Sequence, residues 1–217
     1  MENIFERFMP PIESVKSDEE VKKWEDEQKS REWRDKQGKS GMDSQFYGAT
    51  IHSNLYSDKQ KQVLQDYVKS VEDGKGEFLV ILGDVGRGKT YSACAVINEL
   101  KQGTYLDMLE LSLKVNTADR FNSQTNREML LHDLAKKSLL VLDEIGRYEH
   151  RRNEEQEILF YILNKRYANR RPTILCSNLN KQEFVNYIGT ALTDRLKGRN
   201  IQLILDGESK RGVKHGN

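Results

Sequence analysis

The sequence predicts an α/β fold in three layers: five parallel strands covered by helices on both faces, preceded by a charged helical arm. Three observations carry this. Five short apolar runs, at 78–82, 104–109, 138–142, 173–176 and 201–205, alternate with helix-competent segments near 90–101, 111–136, 153–170 and 181–196. The runs are mostly apolar rather than apolar only at every second position, as expected of strands buried on both faces of a parallel sheet. Between the first run and its helix lies a glycine-rich turn, Gly83-Asp84-Val85-Gly86-Arg87-Gly88-Lys89-Thr90, which fits G-x-x-x-x-G-K-[ST].

The chain's 217 residues suffice for one well-buried domain and an appendage. Charged residues make up 32% but the formal net charge is only +1, so contact with nucleic acid must come from a local basic patch. Cys94 falls on a helix and Cys176 on a buried strand. Both read as small core residues, and neither zinc nor a disulfide framework is expected. No basic-then-apolar leader and no apolar run of about 18 residues is present, so no membrane contact and a cytoplasmic location are expected.

Residues 1–44 differ in kind from the rest. Ile4-Phe5, Phe8-Met9 and Pro10-Pro11 come first, then Ser17 opens a densely charged helical stretch to about Lys36. Val21, Trp24 and Gln28 share one face there, with Trp33 off it, a stripe too thin to pack a core. This is a solvated arm or a helix that docks on another protein through its aromatic residues. Gly38-Lys39-Ser40 resembles the end of a phosphate loop, but no strand precedes it. The globular pattern occupies 45–212, opening with a helix near 58–71 whose apolar side is Val63, Leu64, Tyr67, Val68 and Val71, and a tail follows at 213–217.

The glycine-rich turn implies binding of a nucleoside triphosphate. Strand, loop and helix in succession aim main-chain N–H groups and a helix N-terminus at an anion. The binding set is Gly83 to Thr90 together with Tyr91, the next residue of the helix. Lys89 is placed for the outer phosphates and the Thr90 hydroxyl for Mg²⁺. The third run ends in Asp143-Glu144. Ligands of parallel sheets bind beyond the carboxyl ends of the strands, so both acids should meet the same crevice. Asp143 suits Mg²⁺, and Glu144 suits polarising the attacking water. Asn178, after the fourth run, either points at the terminal phosphate and that water or caps the helix beginning near Lys181. On spacing alone, Arg195 and Arg211 are surface charges.

Taken together, the phosphate loop, Leu142-Asp143-Glu144-Ile145-Gly146, Arg171-Pro172-Thr173…Ser177-Asn178, Thr193-Asp194-Arg195-Leu196 and Gly207-Glu208-Ser209-Lys210-Arg211 resemble an AAA+ ATPase of the DnaC/DnaI/IstB group, over about residues 45–212. That group comprises helicase loaders and transposition helper ATPases. The resemblance implies a P-loop sheet of AAA+ type and a preference for ATP. It assigns Asn178 to the sensor-1 position, Arg195 to the arginine finger that reaches a neighbouring subunit, with Arg199 as its rival, and Arg211 to sensor 2. It further implies a replicative helicase as partner through the arm, self-association through Arg195, and single-stranded DNA near Leu111–Lys137. Lys114, Arg120, Arg127, Lys136, Lys137 and Phe121 are available there. The alternative within the group is a helper that assembles on duplex DNA and recruits a transposase. The cysteines of a zinc module are missing. The chain ends six residues after Arg211, so little or no C-terminal helical lid is expected.

Overall fold

In the computed structural model of the chain, residues 18–120 and 124–207 are described. Arg211, Phe121 and the apolar residues before Ser17 lie outside them. Two units are distinguished, 1–36 and 37–217. The first contributes helix α1 (Asp18–Gln37), which is polar nearly all round. Lys36 pairs with Glu32 one turn away at 3.3 Å, and Val21 and Trp24 are exposed. The division falls earlier than the expected 44/45 because residues 37–44 are built into the second unit. Gln37 Nε2 donates to Asn98 Oδ1 at 3.0 Å, and the carbonyl of Ser40, from the Gly-Lys-Ser string, accepts a hydrogen bond from Tyr105 N at 2.7 Å.

The second unit is a five-stranded, all-parallel sheet of β1 (Phe78–Leu82), β2 (Thr104–Asp107), β3 (Leu140–Ile145), β4 (Thr173–Ser177) and β5 (Asn200–Ile204). Their order is β2-β3-β4-β1-β5. Around it lie α2 (Asp58–Glu72), α3 (Lys89–Leu100), α4 (Met108–Arg120), α5 (Gln124–Lys136), α6 (Arg152–Ala168) and α7 (Lys181–Leu196). Every residue of β1 and β4 is buried, as the continuous apolar runs require. One face packs Phe78, Val80 and Leu82 into a cluster with Leu142, Ile158, Ile162, Leu175, Phe184 and Leu192. Helices α2 and α3 contact the sheet through β5 and β4, where Leu79, Ile81, Ala93 and Ile97 are fully buried.

Three expected boundaries change. The second run stops at Asp107 because its Oδ1 accepts from Leu109 N at 2.7 Å and turns the chain into α4. The segment expected as one helix over 111–136 is two, α4 and α5. Strand β3 runs on to Ile145, which places Asp143 and Glu144 within its carboxyl end rather than after it.

Arg166, on α6, holds this side of the molecule together and was not anticipated. It is fully buried, and its guanidinium donates to the carbonyls of Leu134, Ala135, Lys137 and Pro172 and to Thr173 Oγ1. Three of these carbonyls lie at the end of α5, where the orphaned C=O groups and the negative end of the helix dipole favour a cation. Burial pushes its pKa down to about 9.

Candidate nucleotide site

The glycine-rich turn follows β1 and opens α3. Gly86 and Gly88 stand at φ 82° and 90°, left-handed conformations that glycine adopts without steric cost. At Gly83 a Cβ would lie 2.3 Å from the Leu205 carbonyl oxygen, so the loop's first residue has to be glycine for β1 to leave the sheet beside the end of β5. Lys89 is buried, and its Nζ donates to the Gly83 and Asp84 carbonyls at 2.7 and 2.8 Å. Burial lowers its pKa, opposed first by the Asp143 carboxylate. Arg87 Nη2 lies 3.6 Å from Asp84 Oδ2, while its Nη1 is buried without a hydrogen-bond partner. Val85 is exposed, and the Tyr91 hydroxyl accepts from Thr50 N at 3.3 Å.

Strand β4 lies between β1 and β3, so its carboxyl end separates the loop from the acidic pair. The acids stand at a β-bulge. The β3–β4 register slips between Leu142 and Ile145, and Glu144 takes φ 61°. Such a bulge re-aims a side chain at the end of a strand. Ser177 Oγ donates to the Ile145 carbonyl at 2.6 Å and ties the two strands beyond the slip. Asp143 is 1% exposed. Its Oδ2 accepts from Thr90 Oγ1 at 2.6 Å and from the Tyr105 hydroxyl at 2.9 Å, and its Oδ1 from Glu144 N at 2.7 Å. The phosphate loop and the acidic strand therefore meet side chain to side chain. Asn178 Nδ2 donates to Glu144 Oε2 at 3.3 Å. The cap of α7 is Asn180, whose Oδ1 accepts from Glu183 N at 3.0 Å, which leaves Asn178 to Glu144.

Arg195 is not brought to this cluster. Strand β5 begins opposite the first residue of β1, so the end of α7 lies at the amino edge of the sheet, away from the chain's own phosphate loop. There Arg195 Nη1 donates to the Ala191 carbonyl at 2.7 Å, and its guanidinium lies 5.7 Å from the Phe160 ring centroid. Arg199 is absorbed by the fold: it donates to the Tyr167, Lys75 and Gly76 carbonyls and stacks 4.7 Å over Tyr167.

Three further side chains at the site escape a reading of the motifs. Tyr105 pairs with Val141 across the ladder and so shares a face with Asp143 two residues on. A polar-tipped aromatic inside an apolar run was the available signal. Burial, then the Asp143 charge, pushes its phenol up. Arg147 Nη1 lies 3.1 Å from Glu144 Oε1. Glu155 is buried, and its Oε1 accepts from Gly146 N at 2.7 Å, fixing the turn that follows the acids. Nothing local in the sequence marks that contact. Cys94 and Cys176 are buried free thiols, pushed up by burial. Among the described residues no helix is long and apolar enough to cross a membrane.

Known proteins share this architecture. The replicative helicase loader DnaC of Escherichia coli (strain K12) is 31% identical over 157 residues, which cover 70% of this chain and 62% of that protein's length. The crystal structure of the DnaC helicase loader superposes with a TM-score of 0.63 at 20% identity, covering 76% of this chain and 100% of that one. The crystal structure of DnaI superposes with a TM-score of 0.62 at 24% identity, covering 78% and 94%. At such identities these two structures speak for the fold alone. The family described as IstB-like ATP binding protein matches residues 42–216, and the chain belongs to that family.

Proposed function

We propose that this chain is an ATP-dependent helicase loader: its core binds and hydrolyses ATP, self-associates, and helps place a replicative helicase on single-stranded DNA in the cytoplasm. The observation that carries the chemistry is the 2.6 Å contact of Thr90 with Asp143, beside which Glu144 and Asn178 meet at 3.3 Å. A hydroxyl and a carboxylate are the hard oxygen donors that suit Mg²⁺, and the buried, unpartnered Arg87 Nη1 adds a donor for an anion. Thr90 and Asp143 would hold the ion, which when bound neutralises charge on the phosphates.

The chain's own groups divide the remaining work. Lys89 and the N-terminus of α3 bind the phosphates, exchanging the Gly83 and Asp84 carbonyls for phosphate oxygens. Tyr105 holds Asp143 in place. Glu144 orients and polarises water, and Asn178 orients Glu144. Arg195, at the far edge of the sheet, serves the nucleotide of a neighbouring copy. A finger supplied in trans is worth roughly 10³–10⁵ in rate, so isolated subunits hydrolyse slowly and assembly switches them on. Arg211 acts as the second sensor.

The relatives named as replicative helicase loaders support the loading role, with the arm (1–44) gripping the helicase. On the DNA-facing segment, Lys114 and Arg127 pair with Glu110 and Glu157, while Lys136 and Lys137 are exposed. These two are the readiest cations for phosphates. The resemblance to the IstB group supports a second reading, a transposition helper that assembles on duplex DNA and recruits a transposase. Steady-state ATPase of the full chain, with single-stranded or duplex DNA, separates them. The loader reading expects stimulation by single strands and helicase deposition on them. Stimulation by duplex alone, with no helicase retained, refutes it. If Arg195→Ala leaves assembly-stimulated ATPase within about twofold of the parent, the finger assignment fails.

A further inference from the structure

Both oxygens of the Glu144 carboxylate are engaged. Asn178 Nδ2 donates to Oε2 at 3.3 Å, and Arg147 Nη1 stands 3.1 Å from Oε1. Arg147 belongs to none of the motifs that define the nucleotide site. It reaches Glu144 because the bulge sets Glu144 at φ 61° and the chain then turns back, Arg147 N donating to the Glu144 carbonyl at 3.3 Å. The guanidinium lies 5.5 Å from the centroid of the Tyr148 ring. Its side chain is 51% exposed, against 22% for that of Glu144.

A carboxylate that polarises water needs a lone pair aimed at that water. A guanidinium on the same oxygen competes for that lone pair and fixes the direction in which the carboxylate points. We propose that Arg147 is a positioning residue that tethers Glu144 away from the attacking water and so sets a low basal rate of hydrolysis. The inference rests on reading Glu144 as the water-polarising group. The tether is weak, since ion pairs open to solvent contribute little, and its release raises turnover only modestly.

The experiment is steady-state ATP hydrolysis by the full-length chain without DNA, in the parent and in R147A, R147Q and R147K. Nucleotide binding is followed separately with a fluorescent ATP analogue. R147A and R147Q are expected to raise kcat about two- to fivefold, the size of one exposed ion pair. KM for ATP should stay within about twofold, because the pair involves the Glu144 carboxylate and not the phosphate loop. R147K, whose ammonium keeps the pair, stays near the parent. The proposal is overturned if kcat in R147A and R147Q is unchanged or lower while the analogue still binds, or if KM rises with no gain in kcat. Should R147A fail to fold, R147Q, which keeps a long polar side chain, decides between these outcomes. E144Q abolishes turnover in either background. If it does not, the reading of Glu144 itself fails, an outcome distinct from failure of the tether.

Discussion

Glu155 is 2% exposed, and the charges of Asp107 and Glu149 add repulsion to the cost of its burial. Its carboxyl is pushed up from 4.5 to about 6, burial being the largest cause and the hydrogen bond from Gly146 N opposing it. The folded chain therefore holds this proton more tightly than the unfolded chain. The stabilisation is fully present below the unfolded value of 4.5 and is lost as pH rises through about 6. At about 1.36 kcal/mol per pH unit, the interval corresponds to roughly 2 kcal/mol that ionised Glu155 costs at neutral pH. Glu155→Gln keeps an oxygen for Gly146 N and carries no charge. The variant should gain on the parent by about 2 kcal/mol between pH 4.5 and 7.5, or about 4–8 °C in Tm for a unit of this size. Urea unfolding of both proteins across that range reads the difference, in which the other carboxylates cancel. A difference that is flat with pH, or that favours the parent as pH rises, refutes the reasoning.

Arg166→Met leaves five acceptors without their donor in the core, and loss of one partner from a buried charged network costs about 3–5 kcal/mol. Urea unfolding should show that loss, with hydrogen exchange rising first in α5, whose last carbonyls Arg166 caps. Tyr105→Phe removes one of three donors from buried Asp143. It should cost about 1–2 kcal/mol by urea unfolding and weaken ATP binding in calorimetry, since Asp143 is then held by fewer groups. Gly83→Ala puts a methyl 2.3 Å from the Leu205 carbonyl oxygen at φ 155°. It should reduce ATP affinity by at least tenfold in the same calorimetry, because either the loop or the end of β5 has to move.

The local code of this chain was highly legible. Strands β1 and β4 read correctly because burial on both faces leaves unbroken apolar runs, and the glycine-rich turn falls between a strand and a helix, as its neighbours along the chain led one to expect. The rule that parallel strands end at the ligand led one to expect Asp143 beside the glycine-rich turn, and Thr90 does meet it there. Tertiary structure alone decided who holds the two acids. Tyr105 reaches Asp143 only through the register of β2 on β3, and Asn178 reaches Glu144 only because β4 lies between β1 and β3. The same holds for Glu155 at Gly146 and for Arg166 at the end of α5. Periodicity reports which face a residue takes on its own element. It carries no record of which distant element will lie opposite, because that depends on crossovers, strand order and bulges that the whole core settles together.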